Sequence, residues 1–127
     1  MRQLTGSAAL VLAFALFLSG CAAPDHVATY RSPIDGVFYT VETFYGRGAA
    51  DDDYSRVYAN FTYGGQTDRQ LVLGGEYLEV SRIEWINGHD VVLCVHSVTT
   101  GSFLSEVHLV AGPVAVTVRN HLQQNCH

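Results

Sequence analysis

The pattern of apolar and polar positions changes character once, early in the chain. Residues 8–18 read AALVLAFALFL, eleven positions without a polar side chain. As a helix this run rises about 16 Å, roughly half the hydrocarbon core of a bilayer. It is too short to span, and it has the length of the apolar region of an export signal.

From residue 37 onward the apolar positions come in short segments instead. VFYTVETFY (37–45) is dense in β-branched and aromatic residues. Val37, Tyr39, Val41, Thr43 and Tyr45 fall on one face, and Phe38, Thr40, Glu42 and Phe44 on the other. Neither face is cleanly polar, which predicts a strand covered on both sides or ending in a sandwich. YSRVYANFTY (54–63), LVL (71–73) and EYLEVSRIEWI (76–86) predict the next strands. VVLCVHSV and SFLSEVHLV, around TTG, predict a hairpin, and VAVTVR (114–119) a last strand. Between them lie SPIDG (32–36), the loop 46–53, GGQTDR (64–69), NGHD (87–90) and AGP. Asn87-Gly88 has the chemistry of a tight turn with two positive φ values. No helical period of useful length appears, apart from a short C-terminal helix over residues 118–124. The expectation is an all-β domain of about seven to eight strands at 8–12-residue spacing, a small antiparallel sandwich or barrel. No segment repeats as a propeller blade would.

Small residues and a cysteine close the first apolar run: Leu18-Ser19-Gly20-Cys21. This stretch resembles the lipobox of bacterial lipoproteins at all four positions. The resemblance implies cleavage before Cys21, a diacylglyceryl group on its sulfur and acylation of the new amino terminus. Two or more acyl chains give stable anchoring where one is marginal. The expected organisation is a signal peptide over residues 1–20, a lipidated tether over 21–31 and one β domain over 32–127. In enteric lipoproteins an Asp after the lipidated cysteine favours inner-membrane retention. Ala22 stands here, so the expected address is the outer membrane, facing the periplasm.

Removing residues 1–20 from the 127 leaves 107, one domain's worth of chain. Lysine is absent throughout, and the whole chain carries a formal charge of −5. An acidic chain without basic runs argues against nucleic acid as a partner. With Cys21 assigned to lipid, Cys94 and Cys126 remain as an even pair in an oxidising compartment, and the expectation is a disulfide. Two separate thiols, or zinc held with nearby histidines, are the alternatives.

Candidate chemistry adds little. His89, His96, His108, His121 and His127 crowd the C-terminal third, without ligand spacing on any one element. Asp51-Asp52-Asp53 lacks the alternating ligands and later Glu of a calcium loop. Glu76, Glu79 and Glu84 offer carboxylates for glycoside hydrolysis, with nothing to show that two share a cleft. Ser102, Ser105, His96, His108 and Asp90 contain the residue types of a nucleophilic triad, without a G-x-S-x-G elbow. No catalytic, metal or cofactor site is therefore expected. Six of the seven tyrosines lie between residues 39 and 77, a composition that suits an interface or a β core.

The leading expectation is a non-catalytic, membrane-anchored envelope lipoprotein presenting a β domain to a protein or cell-wall partner. In size, lipobox, β content and the near-terminal Asn125-Cys126, the chain also resembles the membrane-bound inhibitors of c-type lysozyme. That resemblance implies a periplasmic hydrolase inhibitor. It places the binding loop at Leu73-Gly74-Gly75-Glu76-Tyr77, which keeps Gly74 and Tyr77 of the family's Ser-Gly-x-x-Tyr pattern and lacks the serine. That family also has its first cysteine early in the domain, whereas Cys94 is late.

Overall fold

The structure, a computed structural model, describes residues 23–46, 53–76, 78–96, 102–124 and 126. They form nine strands: β1 (His26–Arg31), β2 (Val37–Phe44), β3 (Tyr54–Tyr63), β4 (Gln66–Glu76), β5 (Val80–Trp85), β6 (Asp90–Val95), β7 (Ser102–Phe103), β8 (Glu106–Ala111) and β9 (Val114–Gln124). A five-stranded sheet has the order β1-β2-β3-β4-β7, and a four-stranded sheet the order β5-β6-β9-β8. The two pack face to face as an all-β sandwich that does not close into a barrel. Among the described residues no helix is long and apolar enough to cross a membrane.

Alternation puts one side of each strand into the shared core. Val37, Tyr39 and Val41 meet Val57, Ala59 and Phe61 within the larger sheet. Val91, Leu93, Val95, Val107, Leu109, Val116 and Val118 face them from the smaller one. A buried polar bridge crosses this apolar layer. The Tyr39 hydroxyl donates to Asn120 Oδ1, and Asn120 Nδ2 donates to the Leu104 carbonyl at 2.8 Å. Burial pushes the Tyr39 hydroxyl well above its ordinary pKa, against the opposing pull of the Asn120 bond. Trp85 packs edge-on against the Tyr39 ring, centroids 5.1 Å apart.

One side of the sandwich is stitched shut. β7 pairs with β4 at Leu73 and Gly74, and the chain then crosses to β8 in the other sheet. Gln70 Nε2 donates to the His108 carbonyl at 2.6 Å, and Val110 N donates to Asp68 Oδ2 at 2.8 Å. Side chains of β4 thus satisfy backbone groups on the edge strand β8.

Several expectations need correction. The first strand begins at His26, inside the segment read as tether, because residues 26–31 pair in full with β2. Residues 118–124 are strand and not helix: Val116, Val118 and Asn120 alternate inward, and β9 runs parallel to β6 from Arg119 to Gln124. The hairpin around TTG does not form, since β6 pairs with β5 and β9, β7 with β4, and β8 with β9. The turn at Asn87 is wider than a two-residue hairpin. Gly88 is not among the glycines with positive φ, and Asn87 Oδ1 instead accepts from His89 N and Asp90 N at 2.7 and 2.8 Å. The SPIDG turn is as expected, with Gly36 at φ +84°, where an added Cβ would meet the Thr62 carbonyl at 2.4 Å.

Candidate functional site

The outward face of the five-stranded sheet carries the chain's most distinctive chemistry. Cross-strand register aligns Arg31 with Phe38, Thr40 with Tyr58, Glu42 with Arg56 and Phe44 with Tyr54. The Phe44 and Tyr54 rings stack at 4.7 Å, 8° from parallel. The Arg56 guanidinium lies 5.4 Å from the Phe44 centroid and 5.3 Å from that of Tyr54. Arg69 sits 3.7 Å over Tyr58 and pairs with Glu42, while Arg31 lies 5.8 Å from Phe38. Three of the five arginines among the described residues therefore lie on aromatic rings of one face. Phe44 is only 6% exposed although it points away from the core, because its ring stack and Arg56 cover it. Between the ladders Asn60 is buried and donates to Thr40 Oγ1 at 3.2 Å and to the Phe38 and Tyr58 carbonyls at 3.3 Å.

A groove of about 400 Å³ opens on this face, lined by Tyr54, Arg56, Leu71, Gly74, Gly75, Glu76 and Ser102. A register irregularity creates it. Val57 pairs with Leu73 but Tyr58 pairs with Leu71, so Val72 is an extra residue in β4. The bulge buries Val72 and Leu73 together and brings Gly74 opposite Arg56 on the outward face. The groove floor is therefore backbone without a side chain.

A second cleft, of about 540 Å³, lies where the sheets part beside the start of β5. Val41, Ser55 and Leu78 form its buried floor, with Tyr45, Asp53 and Glu79 on its rim.

The outward face of the four-stranded sheet is different in kind. Arg119 Nε and a second guanidinium nitrogen each donate to Asp90 at 2.8 Å, and His121 Nε2 lies 3.1 Å from Asp90 Oδ1. The Arg119 bonds first, then those of His121 and Asn87, hold the Asp90 carboxyl well below the ordinary carboxylate range. The same pairing raises the Arg119 guanidinium. Cys94 and Cys126 form the expected bridge on this side, with Cα atoms 5.9 Å apart.

The structure scatters most residues that sequence reasoning offered for chemistry. His89 Nδ1 contacts the Thr117 carbonyl, His108 contacts Thr117 Oγ1 and Glu106, and His121 contacts Asp90. His96 follows β6 and shares no hairpin with His108. Among the described residues no group of three His, Cys, Asp or Glu is placed to hold a metal ion. Glu76 lines the groove, Glu79 the cleft, and Glu84 pairs with Arg82. Ser102 lies in the groove of one sheet and Asp90 on the outward face of the other. Of the binding-loop residues, Gly74 lies on the groove floor, while Tyr77, like Cys21, Asp51, Asp52 and His127, lies outside the described residues. Sequence reasoning counted the tyrosines but missed Arg56 and Arg69. The alternation of Arg56 with Tyr54 and Tyr58 at period two was the available signal for the first, and nothing local marked Arg69, which reaches Tyr58 from the next strand.

No protein family, curated protein or solved structure matches this chain.

Proposed function

We propose that the protein is a non-catalytic lipoprotein of the bacterial envelope, anchored through lipid on Cys21, which presents its β sandwich to a cell-wall or protein partner. The observation that carries this reading is the outward face of the five-stranded sheet, where arginines lie on rings around a groove. Aromatic residues and arginine are the types enriched where interfaces concentrate their binding energy. The groove is shallow and built on a sheet, a form suited to contacting an extended partner. The Leu18–Cys21 motif supports the anchor, and Ala22 supports an outer-membrane address. The disulfide suits an oxidising compartment.

The test places a photo-crosslinking amino acid at Leu71, on the groove wall, or at Val110, an exposed position on the other sheet. Expected is a defined adduct from position 71 in cells, lost in Cys21→Ala, with mass spectrometry of the amino-terminal peptide showing acylated Cys21. Adducts from position 110 alone, or an unacylated terminus, would overturn the proposal.

Inhibition of a wall hydrolase is a second reading, favoured by Gly74 lying on the groove floor. It predicts that the purified domain slows c-type lysozyme at micromolar excess; unchanged rates dispose of it.

A further inference from the structure

We infer that the groove over Gly74 binds a carboxylate-bearing glycan strand. This rests on reading that face as the binding surface and adds the chemistry of its ligand.

Charge is the first argument. The chain is acidic, at −5, yet Arg31 and Arg56 on this face have ring contacts and no carboxylate partner among the described residues. Arg56 lies against the Phe44–Tyr54 stack at the groove wall, so its planar fork is held in place, and among the described residues no acceptor takes its N–H groups. A guanidinium fork matches a carboxylate in two parallel hydrogen bonds.

The floor is the second. Gly74 has no positive φ, and a Cβ there would meet nothing nearer than the Ser55 carbonyl at 3.8 Å and Arg56 Cγ at 3.9 Å. The fold therefore does not require glycine at this position. What its absence of a side chain supplies is room, and close approach to the backbone of β4.

The walls decide between ligand classes. Tyr54 and Leu71 offer apolar surface to the C–H face of a pyranose ring, and Ser102 and Glu76 offer partners for hydroxyls. A peptide strand would instead seek a free sheet edge, whose unpaired backbone groups give it affinity. At Gly74, on the groove floor, β4 is paired on both sides, with Arg56 of β3 and with Ser102 of β7, and the edge strand β7 is only two residues long, so side chains make most of the contact.

The test uses the disulfide-intact mature chain with three probes: purified cell-wall sacculi, sodium alginate as a polyuronate, and neutral dextran. Expected is binding to sacculi and alginate but not to dextran, weakened by salt as an exposed charge contact must be. Arg56→Gln and Gly74→Leu should each weaken binding at least about tenfold. Arg119→Gln, on the opposite sheet, should leave binding unchanged. Urea unfolding of each variant separates loss of the site from loss of the fold. Equal binding to dextran, absence of binding to both acidic probes, or binding that survives both groove variants overturns the inference. Binding to sacculi without alginate places the carboxylate on wall peptides and also overturns it. A protein adduct at position 71 without glycan binding removes the ligand assignment and leaves the binding face standing. Silence in both experiments removes both.

Discussion

The two outward faces of the sandwich handle their charges in opposite ways. On the five-stranded sheet, Arg31 and Arg56 lie on aromatic rings, and Arg69 lies on Tyr58 while pairing with Glu42. On the four-stranded sheet, Arg119 is held by Asp90 in two hydrogen bonds, and the bridge to Cys126 ties the chain's end to β6. A ring stabilises a cation without consuming its N–H groups, whereas a carboxylate occupies them. On the first face no described carboxylate pairs with Arg31 or Arg56, whereas on the second Arg119 is paired with Asp90. The same residue type thus stands in two settings, Arg56 against rings on one side and Arg119 against a carboxylate on the other.

Removing the disulfide is the largest perturbation available to this contrast. Cys94→Ser with Cys126→Ser opens a loop closed across 32 residues and should cost about 3.5–4 kcal/mol on the chain-entropy model. Urea unfolding would show the midpoint falling, and addition of reductant should then have no further effect on the variant. Ligand or partner binding, if carried by the opposite face, should persist wherever the variant remains folded.

Asn120→Ala breaks the polar bridge between the sheets and leaves the Tyr39 hydroxyl without its buried acceptor. A loss of about 1–3 kcal/mol is expected, from the desolvation cost of an unpaired group. Tyr39→Phe combined with Asn120→Ala should cost less than the two single losses added together, in a double-mutant cycle read by unfolding.

The third perturbation separates the faces by pH. Asp90 is depressed in the folded protein from an ordinary value of 3.8, so the stability it contributes is fully present above that value. It is lost as pH falls through the lower folded value. Asp90→Asn should therefore narrow the stability gap from the parent at acid pH, with the two curves approaching each other below about pH 4. Parallel curves down to strong acid would mean that the Asp90 pairing contributes nothing.

The smallest effect sharpens the comparison most. Arg56→Gln should change stability by under about 1 kcal/mol, because an exposed cation–π contact is worth about that much. The same variant should still remove recognition by the groove. An Arg56 variant that unfolds the domain instead would make its face as structural as the other.

The period-two pattern of VFYTVETFY and YSRVYANFTY was enough to read β2 and β3, because covered strands concentrate β-branched and aromatic residues. SPIDG was legible for the same local reason, since Pro33, Asp35 and Gly36 act on their own backbone. The early strand β1 was not, as HVATYR has a mixed pattern and owes its place to pairing with β2. The partners of β6 were also hidden: the apparent hairpin with residues 102–110 is replaced by β9, more than twenty residues further on. Within the candidate site, Gly74 was visible as a glycine, but its position on the outward face depends on the extra residue Val72.

By itself the sequence determined what local chemistry can determine. It carried the apolar run that ends in Cys21, the all-β character, the pair of cysteines left over and the absence of any basic run. These follow from hydrophobic period, turn chemistry and counting, none of which needs a distant partner. Only the tertiary structure decided which strands meet, which face each arginine takes and where the groove falls. Strand side chains alternate, so a single bulge reverses every assignment of face beyond it. The bare stretch of backbone opposite Arg56 is a consequence of that one residue.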